Sequence, residues 1–484
     1  MTVHTEGAAA RLNPRPGLWP ALLIGAAALV LAILASPLAF QSPQMVVVLA
    51  VAGILALGMA LRPIFGTYVV LAATPITTGL ARGDFIPLLR PSEAILALVL
   101  MGLAARGFFE LLRGTPVHAR LSTFEWWLVA FASAGSILPL LWMVARGRDI
   151  SQDDILYAGY LWKFAATYLI VRATVRTEGQ LRRCLALSLA AGAVVAVVAI
   201  LHVLQVEWVH EQLTRWYASD DVGQFTSDRG TSTVGSSFAV ADLMVFNLAV
   251  VLAWALYERR LRPILVLLAL LFVVGAVASG QFSAPIALAV ALITVGVITR
   301  RLTRLLLVGL PVAALAGVLL APVVIQRLQD FDSAAGIPTS WVGRWENLTT
   351  FFWPPLASDL NWLTGVRVAG RVPAPESWRD WVWIESGYTW LLWSGGIFFL
   401  LIGCLFLAAG VQATAAVARN RHDAVGAAAM GALTGLWVNI VLMVIDVHLT
   451  LRGSADLLFA LLALGLSGVA GAHAARVGAA RPRS

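Results

Sequence analysis

The chain has 484 residues, 60% of them hydrophobic and only 12% charged, with a formal net charge of +8. Soluble domains carry about 25% charged residues, so the composition excludes a water-soluble globular protein and points to an integral membrane protein. The positive balance requires no nucleic-acid partner, because the cytoplasmic loops of membrane proteins collect Arg and Lys.

With no water in the bilayer core, spanning segments must be helices or a closed barrel. Apolar runs of about 17–25 residues without strict alternation select helices. Fourteen spans are predicted, over 17–38, 44–61, 64–80, 92–112, 123–144, 155–172, 184–206, 235–257, 264–279, 285–299, 305–325, 386–410, 425–446 and 456–473. The third holds Pro75 and several threonines, which leaves a re-entrant segment open. The ninth and tenth are short and predict a tight hairpin around Ser279–Pro285. No small-residue cleavage site follows the first run, so it is expected to stay as a helix. Cys184 and Cys404 both lie within apolar runs, which implies neither a disulfide framework nor thiol chemistry.

The charge pattern orients the spans. With the N-terminus inside and strict alternation, the inside segments hold 21 of the 34 basic residues, although they are the shorter ones. Both termini are therefore expected in the cytoplasm. The resulting fold class is an all-α polytopic membrane protein of about 14 transmembrane helices, with 12–14 as the range. An N-terminal tail occupies 1–16; helices one to eleven occupy 17–325, with a smaller outer segment at 207–234. A large outer loop follows over 326–385, then helices twelve to fourteen over 386–473 and a tail over 474–484. Neither outer segment is long enough for a comfortable soluble core of its own, and both are expected to fold onto the membrane part. No internal duplication of the two halves is visible.

The large loop is the polar island of the chain. It carries Arg327, Arg344, Arg367, Arg371 and Arg379, and nine of the eighteen tryptophans fall between Trp341 and Trp393. Gly343-Arg344-Trp345-Glu346-Asn347-Leu348 and the aromatic run up to Pro354-Pro355 predict a short amphipathic helix at the membrane surface. Leu363-Thr364-Gly365-Val366 and Gly370 follow as a flexible turn region, and Trp383-Ile384-Glu385-Ser386-Gly387-Tyr388 leads directly into the twelfth span.

In order and spacing, these residues resemble the O-antigen ligase and O-antigen polymerase family of bacterial membrane glycosyltransferases. The similarity rests on Gly343-Arg344, on Leu363, Gly365 and Gly370, and on Glu385-Ser386-Gly387-Tyr388 with Leu392 and Gly396. Upstream it rests on Arg229-Gly230-Thr231 and on the corner at Ser279-Gly280. It covers the second half of the chain and departs from the family pattern twice. Glu385 stands where the family has histidine, and Gln281 or Phe282 stands where a corner arginine is common. The first departure favours a polymerase over a ligase.

The resemblance implies a donor in which a glycan is linked to polyprenyl diphosphate, used on the periplasmic face of the bacterial cytoplasmic membrane. Diphosphate is a good leaving group that needs counter-charge, which arginine supplies permanently and in bidentate geometry. The acceptor's sugar hydroxyl needs a base, which a carboxylate can provide. Arg344 and Arg229 are accordingly the candidates to hold the diphosphate, with Lys163, Arg367 and Arg371 as further candidates, and Glu385 to accept the proton. Trp345, Trp378, Trp383 and Tyr388 are the candidates to stack on sugar rings. No cofactor and no metal is implied, since the arginines replace the metal as counter-charge. The implied partners are the lipid-linked donor, the glycan acceptor, membrane lipid and other polysaccharide-export proteins.

Each assignment has an ordinary structural alternative. Glu385 could mark a solvated membrane boundary, Arg344 could pair with Glu346 or Asp359, and Arg229 with Asp221 or Asp228. Arg367, Arg371 and Arg379 lie among Glu376 and Asp380. Tryptophans also form interfacial belts. Lys163, the single lysine, lies within an apolar run and predicts function or a buried partner. Asp242 lies at similar depth and is its expected partner; the other reading has Lys163 facing a cavity for the diphosphate. The cluster Asp149, Asp153 and Asp154 reads as a solvated loop, and its spacing fits no calcium loop. His202, His210 and His448 show no metal-ligand spacing. A ligase acting on lipid A core or protein is the alternative within the same chemistry. A polysaccharide flippase is the alternative from another class, and it would spread charge through the spans.

Overall fold

A computed structural model describes residues 43–83, 89–112, 121–217, 229–331, 336–375 and 380–469. The expected first span, both tails and residues 470–473 of the last span lie outside the described residues; the spans expected over 123–144 and 305–325 are each divided between two helices, and the others overlap one helix each. Helices are named in chain order: α1 Pro43–Leu61, α2 Pro63–Thr77, α3 Pro91–Leu112, α4 Thr123–Ala134, α5 Ile137–Ala145, α6 Gln152–Thr174, α7 Glu178–Val203 and α8 Glu207–Tyr217. After them come α9 Ser237–Tyr257, α10 Arg262–Ala278, α11 Ser283–Thr299, α12 Leu302–Leu319 and α13 Ala321–Gln329. The large loop holds α14 Thr339–Asn347, α15 Trp353–Ala357, α16 Asn361–Thr364, β1 Arg371–Pro373 and β2 Trp381–Trp383. It ends at α17 Gly387–Asn420, which is followed by α18 Ala424–Leu442 and α19 Ser454–Gly465. Among the described residues, eight helical stretches are long and apolar enough to cross a membrane; α2, α11 and α19 are apolar but shorter. The protein is an all-α, multi-pass integral membrane protein.

Local sequence sets where these helices begin. Ser122 with Glu125 and Ser151 with Asp154 form capping boxes at α4 and α6, and Thr177 with Gln180 does the same at α7. Each pair satisfies N–H groups that the first helical turn leaves unpaired. α9 and α18 are apolar all round, with 83% of each membrane-length window buried, and form the centre of the bundle. Glycine lets them approach closely. A Cβ on Gly431 of α18 would lie 2.4 Å from Val250 of α9, and one on Gly435 would lie 2.8 Å from Leu458 of α19. α12, with only 6% of its window buried, runs at the periphery.

Contacts between helix ends fall into two groups. In the first, Gly79 N–H donates to the Thr233 carbonyl (3.0 Å), Gly230 N–H to Ala278 (2.9 Å) and Gly387 N–H to Met443 (2.7 Å). In the second, Arg172 donates to the Ser467 carbonyl (2.5 Å), Arg182 pairs with Glu258 (3.1 Å), and Arg421 donates to the Val469 carbonyl (3.0 Å). α9, α17 and α18 each give one end to each group, so α17 and α18 run antiparallel, and the large loop docks at the first end.

The expected hairpin at Ser279–Pro285 is present, with α10 and α11 joined through Gly280 at φ +61°. α2 continues through Pro75 to Thr77. Its end is tied to the 231–235 segment, where Thr233 Oγ1 donates to the Pro75 carbonyl (2.9 Å).

The loop is seated in a notch of α17. That helix is interrupted at Gly395 and Gly396, and Gly396 has φ +67°. A Cβ on Gly396 would lie 2.1 Å from the Leu363 carbonyl oxygen, and one on Gly365 (φ +83°) would lie 2.9 Å from Gly395 N. Only glycine at both positions lets the turn after α16 enter the break. Val366 N–H then donates to the Trp393 carbonyl (2.7 Å), and Trp393 Nε1 donates to the Ala369 carbonyl (2.9 Å). The spacing of Leu363, Gly365 and Gly396 in the sequence is thus one packing unit. β1 and β2, which the apolar pattern does not announce, pair antiparallel just before α17, with Arg371 opposite Trp383.

Candidate functional site

α14 is an amphipathic helix, as the sequence predicts, and it carries Arg344 against the open end of the bundle. Arg344 Nη1 donates to the Ile445 carbonyl (2.8 Å). Its Nε lies 3.6 Å from Glu385 Oε1 and its Nη2 lies 3.4 Å from Asp446 Oδ2. The guanidinium rests 5.0 Å over the Phe238 ring at the start of α9. Asn347, one turn further along α14, donates to Glu385 Oε2 (3.0 Å). Arg344 therefore pairs with Glu385 and Asp446 rather than with Glu346 or Asp359, and Glu385 is part-buried and engaged. Both contacts to carboxylates are longer than hydrogen bonds. The guanidinium thus faces one carbonyl at hydrogen-bond distance and two carboxylates at ion-pair distance.

Beneath Phe238 lies a second charged pair. His448 Nδ1 is 2.8 Å from Asp242 Oδ2, both side chains are fully enclosed, and the Phe238 ring meets the imidazole edge to face at 6.2 Å. Burial pushes the imidazole pKa down, but the adjacent Asp242 carboxylate outweighs it and the pKa is raised. Among the described residues, His448 Nε2 and Asp242 Oδ1 have no hydrogen-bond partner. The chain from Glu385 through Arg344 and Phe238 to His448 and Asp242 links the loop, the 445–448 segment and the bundle centre.

This geometry corrects the expected partner of Lys163. Its Nζ lies 3.0 Å from Asp456 Oδ2 in α19, with side-chain exposures of 11% and 5%. Asp242 is occupied by His448 instead. Asp456 also accepts the Gly453 N–H (3.0 Å), capping α19. Beside the pair, Thr74, Thr167, Ser188 and Asn247 line a narrow cavity with room for about one or two water molecules.

Arg367 and Arg371 are also placed elsewhere than expected. Arg367 makes a bidentate contact to Asp154 (3.2 and 2.7 Å), and Arg371 donates from Nε to Asp153 (2.7 Å). The cluster read as a solvated loop is therefore an anchor. Asp154 is wholly buried; burial would raise its pKa, but the Arg367 guanidinium, the Ser151 hydroxyl and the Ala369 N–H lower it overall. Arg146 donates to Thr364 Oγ1 (2.7 Å) and Arg148 to Asn361 Oδ1 (2.8 Å) and the Val366 carbonyl, fixing the same loop from the other side. Four arginines thus hold the loop down, and Arg367 and Arg371 are not part of the Arg344 group.

Arg229 lies at the corner between α10 and α11. Its Cγ and Arg327 Nε lie 3.5 and 3.8 Å from where a Cβ on Gly280 would sit, so the two arginines flank that glycine. Gln281, at the same corner, donates to Ser237 Oγ and ties the corner to the start of α9, next to Phe238. Asp221 and Asp228 lie outside the described residues, as do Trp378 and Arg379. Trp345 is exposed and meets Trp353 edge to face at 4.9 Å. Trp383 is also exposed, whereas the Tyr388 hydroxyl donates to the Ile440 carbonyl (2.8 Å) and is spent on holding α17 to α18.

Sequence reasoning missed Asp446 and Phe238, gave no site role to Asn347 or Arg327, and considered His448 only as a metal ligand. The dense polar pair in Ile445-Asp446-Val447-His448, set between apolar runs, is the signal that marks two of them. Among the described residues no group of three or more His, Cys, Asp or Glu side chains is placed to hold a metal ion. Comparison of the chain with protein-family models, curated proteins and solved structures finds no match.

Proposed function

We propose that the chain is a membrane glycosyltransferase that polymerises polyprenyl diphosphate-linked oligosaccharide repeat units on the outer face of a bacterial cytoplasmic membrane. In this reading the fourteen helices have both termini inside, and the first group of helix ends faces outward. One observation carries the chemistry: Arg344 and Glu385 share a part-buried site where the loop docks. The donor's diphosphate takes Arg344 in exchange for its long contacts to Glu385 and Asp446, with Arg229 at the neighbouring corner as a second counter-charge. Drawing Arg344 toward phosphate loosens its hold on Glu385, whose carboxylate then accepts the acceptor's hydroxyl proton. The new bond forms from the acceptor oxygen to the anomeric carbon as the bond from that carbon to the diphosphate oxygen breaks. The lipid diphosphate leaves on the arginines. The close approaches of Gly396 to Leu363 and of Gly365 to Gly395 add support, since they give a packing reason for the glycine spacing that carries the family resemblance.

A second reading is transport of a lipid-linked glycan, favoured by the two ion pairs buried in the bundle, Lys163 with Asp456 and His448 with Asp242. One assay separates the readings. Purified protein is given a lipid-linked repeat unit in detergent and the products are sized on a gel. A ladder of products supports the polymerase, a single shifted acceptor the ligase, and no covalent change the transporter. Polymer formation by Glu385→Gln at the wild-type rate would remove Glu385 as the base.

A further inference from the structure

The segment that delivers Glu385 to the site is extended, and its side chains alternate. Val382 and Ile384 point into the core, while Trp381, Trp383 and Glu385 share the opposite face. Ile384 N–H donates to the Gly370 carbonyl (2.9 Å), which continues the β1–β2 ladder up to the residue before Glu385. Residues two apart on a strand stand about 6.6 Å apart, of the order of one pyranose unit in an extended glycan. Trp381 is 36% exposed and Trp383 50% exposed. The Arg371 guanidinium lies 4.1 Å from the Trp381 ring and 5.1 Å from the Trp383 ring, and Asp153 fixes it from behind (2.5 Å). The indoles are thus held rigid by a cross-strand arginine while their outer surfaces stay open.

We propose that Trp383 and Trp381 form the acceptor track of the site: successive sugars of the acceptor glycan stack along the strand and present the nucleophilic hydroxyl to Glu385. This rests on the glycosyltransferase reading and deepens it, by dividing the site into a donor side at Arg344 and an acceptor side along β2. The assignment to the acceptor follows from the chemistry. The group next to the base must be the one that loses a proton, and the diphosphate must lie toward the arginine. Arg371, excluded from the diphosphate group by its contact with Asp153, acquires a role as the spacer between the two indoles.

The test uses full-length protein in nanodiscs and oligosaccharides released by mild acid from the surface polysaccharide of the source cells. Binding is followed by tryptophan fluorescence for wild type, Trp381→Leu and Trp383→Leu. Leucine keeps apolar packing on Arg371 but cannot offer an indole face, and an unchanged far-UV spectrum verifies folding. Saturable binding is expected, weakened about five- to tenfold by each substitution, the size of an ordinary aromatic contact. With lipid-linked substrate, Trp383→Leu should raise the acceptor KM by a similar factor and leave kcat within about twofold. Absence of binding to wild type, or equal binding by all three proteins, overturns the proposal. So does quenching of Trp381 and Trp383 by brominated phospholipid, since the face would then lie in the membrane. If binding depends on the tryptophans and no covalent product forms, the track stands and the glycosyltransferase reading fails.

Discussion

Replacing Lys163 with methionine tests whether that lysine is a structural partner or a substrate ligand. The substitution leaves the Asp456 carboxylate 5% exposed and without its cation, while its contact to the Gly453 N–H (3.0 Å) remains. Breaking a buried ion pair from one side costs about 3–5 kcal/mol, because the remaining charge is uncompensated. Lys163→Met is therefore expected to lose about that much in unfolding by SDS from mixed micelles. The double variant Lys163→Met/Asp456→Asn removes both charges and keeps an oxygen for the Gly453 N–H, so it should regain at least half of the loss. Asp242→Leu in place of Asp456→Asn should give no rescue, because Asp242 is held by His448. A loss below about 0.5 kcal/mol, with polymer formation abolished, would refute the pairing argument and return Lys163 to the diphosphate.

Gly396→Ala would put a methyl 2.1 Å from the Leu363 carbonyl oxygen at φ +67°, so the loop must leave its notch. Limited proteolysis within 336–385 should accelerate by about tenfold or more, and an unchanged pattern would contradict the docking. The Asp154–Arg367 contact should make stability depend on acid. Because the native pKa of Asp154 is lowered, its contribution is complete above the ordinary carboxylate value of about 3.9 and disappears as pH falls through the lowered native value. Asp154→Asn should be less stable than wild type at neutral pH and lose less between about pH 5 and 3; parallel unfolding profiles would remove the contact as a stabilising pair. Asp242→Leu should cost about 3–5 kcal/mol by stranding buried His448. His448→Phe/Asp242→Leu should recover part of this, and equal stability of the single and double variants would argue against a coupled pair.

The positions of the helices were legible in the chain because the bilayer imposes one requirement everywhere: a long apolar run whose backbone bonds itself. The basic residues gathered in short segments are what predict the alternation of inside and outside. The large loop stood out as the polar break, and its glycines marked where backbones would meet. What only the tertiary structure decided was pairing. Lys163 and Asp456 are 293 residues apart, and Arg367 and Asp154 are 213 apart. Sequence gives the depth of a charge along its helix but not the direction in which it faces. Asp242 lies at a similar depth to Lys163 along the chain, but the packing of α6 against α19 brings Asp456 to it instead. Asp153 and Asp154 looked like a solvated loop because nothing local reveals that Arg367 and Arg371 arrive from the far side. The strand behind Trp381 and Trp383 is only three residues long, too short for any periodicity, and exists because the docked loop supplies its partner. A charge buried in a bilayer protein takes its meaning from the group opposite it, and the fold alone brings that group near.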